Sequence, residues 1–157
     1  MDGTRISLEL KVPPVVAVIL FAVVMAGIAR LLPVLSFVLP GRLGLAIALT
    51  LAGIAMSLAG ILAFRRHQTT VNPLSPGAAT AIVTTGVYRF TRNPMYVGFV
   101  LILAGWAAFL AHMGAVLGVP LCMAYLTQFQ IKPEERILLD KFGSSFEDYR
   151  DRVRRWI

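Results

Sequence analysis

Between Arg92 and Lys132 the chain has no Asp, Glu, Lys or Arg, an uncharged run of 39 residues. As one helix at 1.5 Å per residue this run would be about 58 Å long, nearly twice the ~30 Å hydrocarbon core of a bilayer. It therefore has to fold back on itself. His112-Met113-Gly114 is the stretch near its middle that suits a turn, which puts His112 at the far interface rather than in a site. Two earlier apolar runs are also long enough to cross: Val12 to Ala29, whose first turn accommodates Pro13 and Pro14, and Leu43 to Phe64. Leu31 to Pro40 is apolar but holds Pro33 and Pro40, and reads as an interfacial connection. The expected class is an all-α integral membrane protein with about four transmembrane helices, the last two forming a hairpin.

Composition agrees, with 57% hydrophobic and only 15% charged residues. A net charge of +7 would suggest nucleic acid as partner in a soluble chain. Here it points instead to loops lying against anionic membrane lipid, and no nucleic-acid partner is expected. With four crossings, 13 of the 15 basic residues fall on one side and only Arg30 and Arg42 on the other. That bias makes both termini cytoplasmic. The single cysteine, Cys122, lies in an apolar run and reads as a packing residue, and no side chains have metal-ligand spacing.

A single domain over residues 1–157 is expected, with two N-terminal transmembrane helices in 12–64, a cytoplasmic loop in 65–95, the hairpin in 96–131 and cytoplasmic C-terminal helices in 132–157. Small residues four apart in the second helix, Ala48 with Ala52, Gly53 with Ser57 and Ala55 with Ala59, mark it as the packing centre of the bundle. His67, beside Arg65 and Arg66, reads as solvated. The polar stretch Gln68 to Thr85, with Asn72-Pro73 and Ser75-Pro76-Gly77, reads as a surface loop. Pro133 is expected to start a new helix with Glu134 and Glu135 in its first turn, ending at Gly143. Ser145 and Asp148 resemble a capping box for a last helix, and Trp156 beside Arg154 and Arg155 resembles an interfacial anchor.

The chemistry concentrates in Gly86 to Gly98, which sets Arg89 and Arg92 at the start of an apolar helix. Asn93 can cap that helix and Pro94 suits its first position, so its dipole and the two guanidinium groups would together favour an anion. All eight acids lie at positions 2, 9 or beyond 133. On a helix Glu135 shares a face with Leu138, Leu139 and Phe142, and so points inward. A carboxylate there needs Arg89, Arg92, Arg152 or a ligand as its partner. A buried ion pair tying the C-terminal helices to the loop is the purely structural reading. Arg152 by pattern alone belongs to a lipid-facing basic patch. No Walker sequence occurs and no Gly-rich dinucleotide loop follows a strand.

These residues resemble the isoprenylcysteine carboxyl methyltransferase family and its bacterial relatives, which share a membrane fold with phospholipid N-methyltransferases. The resemblance covers roughly residues 68–157 and rests on Gly86-Val-Tyr88-Arg89, Arg92-Asn93-Pro94-Met-Tyr96-Val-Gly98, Glu134-Glu135 with Leu138 and Phe142-Gly143, and Tyr149 with Arg152-Val153. It implies S-adenosylmethionine in a cytoplasmic pocket, lined by Tyr88, Arg92, Asn93, Pro94, Tyr96, Gly98, Glu134 and Glu135. It further implies a lipophilic acceptor entering from the bilayer, catalytic roles for Arg152 at the acceptor and for Glu135, and residence in a bacterial inner membrane. Where the family often has His, this chain has Asn93, which keeps a capping role but supplies no imidazole. Two other readings stay open: an NADPH-dependent membrane reductase like the sterol reductases, and a non-catalytic lipid-binding protein.

Overall fold

The computed structural model describes residues 9–66 and 81–157. The readings of His67 and of the loop up to Thr80 lie outside the described residues. Six α-helices account for most of them: α1 (Pro14–Leu31), α2 (Arg42–Arg66), α3 (Pro94–Leu110), α4 (Met113–Leu126), α5 (Lys132–Phe142) and α6 (Ser144–Arg152). Short 3₁₀ turns at Pro33–Leu35 and Gly86–Arg89 lead towards α2 and α3. Three helices are long and apolar enough to cross a membrane, namely Pro14–Leu31, Arg42–Arg66 and the continuous Met113–Phe142, while α3 is a shorter apolar helix. At 17 residues α3 is about 26 Å long, just enough for a fourth crossing. Outward side chains such as Ile19, Leu20, Val23 and Val24 on α1, and Leu51, Leu58 and Leu62 on α2, are exposed, as lipid-facing residues are.

The α2–α3 contact is the closest in the bundle, and glycine is the reason. A Cβ placed on Gly53 would sit 2.5 Å from the Gly98 carbonyl oxygen, and one on Gly98 would sit 2.1 Å from Ser57 Oγ. The contacting face of α2 is Ala46, Thr50, Gly53, Ser57 and Gly60, met by Met95, Gly98, Ile102 and Gly105 of α3. Of the expected small-residue pairs only Gly53 with Ser57 lies on it; Ala48, Ala52 and Ala55 are exposed. The correction is one of phase, because packing follows alternating steps of three and four rather than four alone.

The turn between α3 and α4 is at Ala111–His112, one residue ahead of the expected His112-Met113-Gly114, whose last two residues already belong to α4. Ala111 takes a left-handed conformation (φ 47°) and His112 is the N-cap of α4. His112 is at the far end of the hairpin yet wholly buried. Its Nδ1 accepts from the Gly114 N–H at 3.1 Å, which fixes Nε2 as the donor to the Leu32 carbonyl at 2.8 Å. Replacing His112 by Ala leaves that carbonyl unpaired, and we expect a loss of about 1–3 kcal/mol, read as a lower thermal midpoint in detergent.

Pro133 does not restart a helix. Met113 to Phe142 is continuous, with a π-helical segment at Thr127–Ile131 carrying the chain through. A proline leaves the carbonyl four residues earlier without its helical donor, here that of Phe129. The Leu10 N–H takes it at 3.1 Å, and the buried Gln130 side chain donates to the Val12 carbonyl at 2.7 Å. The N-terminal segment thus fills the gap the proline makes. At 30 residues the rod is about 45 Å long, so its last turns, from Lys132 onward, extend beyond a ~30 Å core. Glu134 and Glu135 therefore sit within a helix, not at a free N-terminus, and the dipole does not hold them.

At the C-terminal end Gly143 (φ 52°) closes α5, its N–H bonding the Leu139 carbonyl at 2.8 Å. It also serves as N-cap of α6, which starts at Ser144 without any side-chain cap. The Ser145–Asp148 capping box is therefore not formed. Trp156 is half-buried against the core and donates through Nε1 to Thr127 Oγ1 at 3.2 Å, so it anchors to the protein rather than to the interface.

Candidate functional site at the polar end of the bundle

Pro94 at the first position of α3 lets that helix start abruptly after the turn Thr91-Arg92-Asn93, so these three residues present their side chains beside α5. Thr91 Oγ1 accepts from the Asn93 N–H at 3.1 Å. Asn93 makes no capping bond to α3; its Nδ2 donates to the Arg155 carbonyl at 2.9 Å. The expected Asn93 cap is thus replaced by a tie to the C-terminal segment.

Arg92 is the hub. Its Nη1 donates to the carbonyls of Arg150 and Val153, both at 2.7 Å, and its Nη2 to Glu135 Oε1 at 2.8 Å. Glu135 also accepts from Arg155, Nε to Oε1 at 3.1 Å and Nη2 to Oε2 at 2.7 Å. The Arg92 and Glu135 side chains are only 9% and 15% exposed, so this is a largely desolvated cluster of two guanidinium groups on one carboxylate. One positive charge is left over. Arg92 Nε is buried and has no hydrogen-bond partner among the described residues.

Glu134, next along α5, accepts from the hydroxyl of Tyr96. No guanidinium pairs with it among the described residues. The remaining wall is aromatic. Tyr149 Oη donates to the Tyr88 carbonyl at 2.8 Å, and Tyr88 meets Phe64 edge-on with ring centroids 5.2 Å apart. Burial pushes the Tyr88 and Tyr149 hydroxyls above the usual phenol range, so both stay neutral. The hydrogen bonds from Arg155 to Glu135 hold that guanidinium protonated still more firmly than usual. Between these groups lies a cleft with about 500 Å³ of empty space including its open mouth. Arg92, Asn93, Glu134 and Glu135 line it on one side, and Phe64, Tyr88, Phe146 and Tyr149 on the other.

The site residues expected from sequence divide into three groups. Tyr88, Arg92, Asn93, Glu134 and Glu135 come together in the cleft, with Tyr96 behind Glu134. Pro94 and Gly98 face α2 instead: Pro94 abuts Gly60, and Gly98 makes the helix crossing possible. Arg152 is exposed and its Nε bonds the Asp148 carbonyl of its own helix at 2.9 Å, away from the cleft lining. Sequence reasoning missed Arg155. Its signal was slight, the second of two adjacent arginines following an extended Val153. For Gly98→Ala the expected outcome is a large drop in thermal midpoint, because the new methyl runs into the Gly53 backbone as well as Ser57. The folded fraction should keep its ligand affinity.

Fold and site define the class: an all-α membrane protein with Arg92, Glu134 and Glu135 gathered in one cleft at the polar end of its helices. A family model described as phospholipid methyltransferase matches residues 42–145, and the chain belongs to that family. Membership makes it an enzyme of the membrane methyltransferase type. The protein-S-isoprenylcysteine O-methyltransferase of Schizosaccharomyces pombe is 35% identical over 72 residues, 46% of this chain and 30% of that protein. Methanethiol S-methyltransferase 1 of Bradyrhizobium diazoefficiens is 38% identical over 92 residues, 57% of this chain and 31% of that protein. The chain thus spans under a third of the length of these two relatives. A Haemophilus influenzae protein described as uncharacterized is 41% identical over 63 residues, 40% of this chain and 100% of that protein. No solved structure matches.

Proposed function

We propose that the protein transfers the methyl group of S-adenosylmethionine to a lipophilic acceptor at the cytoplasmic face of a bacterial inner membrane. The observation that carries this reading is the meeting of two motifs 43 residues apart, Arg92-Asn93-Pro94-x-Tyr96 and Glu134-Glu135, through the Arg92–Glu135 pair. The donor set suits the cofactor. Its carboxylate matches Arg92 Nε, its ammonium or sulfonium suits Glu134, which no guanidinium holds among the described residues, and its adenine suits Tyr88, Phe146 and Tyr149. When bound, the cofactor would supply an electrophilic methyl carbon for the acceptor's lone pair.

The chain's own part is alignment and the exclusion of water, which the aromatic wall and the closed ion cluster provide. A carboxylate acceptor, as in the isoprenylcysteine relative, needs no base. A thiol or amine acceptor must lose a proton, and Glu134, which no guanidinium holds among the described residues, is the carboxylate placed to take it. Arg152, on the exposed face of α6, would meet an acceptor only outside the cleft.

Calorimetric titration of the detergent-purified protein with S-adenosylhomocysteine, and separately with NADPH, tests the reading. Saturable binding of the first alone is expected. Binding of NADPH alone would overturn it in favour of a reductase, and binding of neither would favour a lipid-binding protein.

A further inference from the structure

A second cavity is lined by the sequence neighbours of Phe64 and Tyr88 rather than by those two residues themselves. Ala59, Leu62, Ala63 and Arg66 of α2 line it, together with Thr85, Gly86 and Val87, and it holds about 730 Å³ of empty space including its mouth. Its chemistry is divided. Alanines, Leu62 and Val87 make an apolar trough along the end of a membrane helix, and Arg66, on the last turn of that helix, supplies a guanidinium at its rim. Gly86 has φ +61°, and no described atom lies within 4 Å of where its side chain would stand.

The charge around the groove is uniformly positive. Arg65 precedes Arg66, Arg89 ends the 3₁₀ turn that forms one wall, and both are exposed. From position 10 to position 133 the sequence holds no acid, and none of these three arginines makes an ion pair among the described residues. An apolar trough with an uncompensated cation where α2 leaves the membrane fits an amphiphile with an anionic head.

We propose that this groove seats one anionic phospholipid of the adjacent leaflet, its phosphate on Arg66 and an acyl chain along Ala59, Leu62, Ala63 and Val87. No residue that lines the groove lines the cleft, so the seat is assigned to a lipid other than the methyl acceptor. The assignment does not rest on the methyltransferase reading.

Native mass spectrometry of the full chain, purified in detergent and offered phosphatidylglycerol and phosphatidylcholine in equal amounts, reads it directly. The wild type should keep one phosphatidylglycerol with a preference of about fivefold, the worth of one basic residue against an anionic head group. Arg66→Gln should lose the preference and Arg66→Lys should restore it. Ala59→Trp, which fills the trough, should lower retention of both lipids. Arg42→Gln removes a cation from the opposite end of α2 and should change nothing. Undiminished preference in Arg66→Gln would overturn the proposal, as would an equal loss in Arg42→Gln, which would report net charge rather than a seat.

Discussion

Replacing Glu135 by Gln is expected to abolish measurable binding of S-adenosylhomocysteine and to cost the fold about 3 kcal/mol. Among the described residues the carboxylate is the only acid paired with either Arg92 or Arg155, and it takes three of their N–H groups. An amide keeps one acceptor oxygen and loses the charge, so two guanidinium groups face one another where Arg92 is 9% exposed. Removing one member of a buried ion pair typically costs about 3–5 kcal/mol, because the other is left without compensation. The lower end applies here, since Arg155 is partly open to water. Glu135→Asp keeps the charge and should retain part of both affinity and stability. Calorimetry and thermal unfolding on the same samples separate the two effects. Affinity within twofold of wild type in Glu135→Gln would sink the assignment of this site.

Ending the chain at Arg152 should leave the membrane helices folded and the cleft without function. Residues 153–156 follow the last helix and close the site through the hydrogen bonds they make. The Arg154 carbonyl accepts the Arg92 N–H at 3.0 Å, the Val153 carbonyl accepts Arg92 Nη1, and the Arg155 carbonyl accepts both Thr91 Oγ1 and Asn93 Nδ2. Loss of the segment also deletes the Arg155 side chain and the Trp156 bond to Thr127. Each ordinary hydrogen bond contributes about 1 kcal/mol and those to charged groups about twice that, so the turn carrying Arg92 loses most of its support. Circular dichroism should show nearly unchanged helix content while ligand affinity falls by at least about 100-fold, a difference of roughly 3 kcal/mol. Retained affinity would mean that α3 alone fixes Arg92.

The membrane layout was legible because it rests on hydrophobicity and charge, which a sequence displays directly. The uncharged run dictated the hairpin, and its turn fell at Ala111 and His112. What failed was local. Lys132-Pro133-Glu134-Glu135 has the composition of a helix start, yet the helix runs through it, because Leu10, more than a hundred residues away, supplies the donor that the proline costs. Ser145 looked like a cap, yet the positive φ of Gly143 had already turned the chain into α6. In the site, the inward face of Glu135 called for a partner among Arg89, Arg92, Arg152 or a ligand, and only the structure singles out Arg92. Arg155 could not be told from Arg152 or Arg154, since all three are arginines at the end of one basic stretch. The carbonyls that hold Arg92 and Asn93 carry no side-chain signature at all.

Sequence order also sets a timetable. Arg92 is synthesised 43 residues before Glu135, and Asn93 62 residues before the Arg155 carbonyl it binds. At the usual 5–20 residues per second the second gap lasts about 3–12 s. During that interval α2 and α3 can already close on one another through Gly53 and Gly98, both of which precede the hairpin turn. Arg92 then waits at the membrane surface with its counter-charge unmade, and water or a lipid phosphate must satisfy it. Until residues 135–155 are made, the turn carrying Arg92 and Asn93 lacks the partners it has in the folded protein.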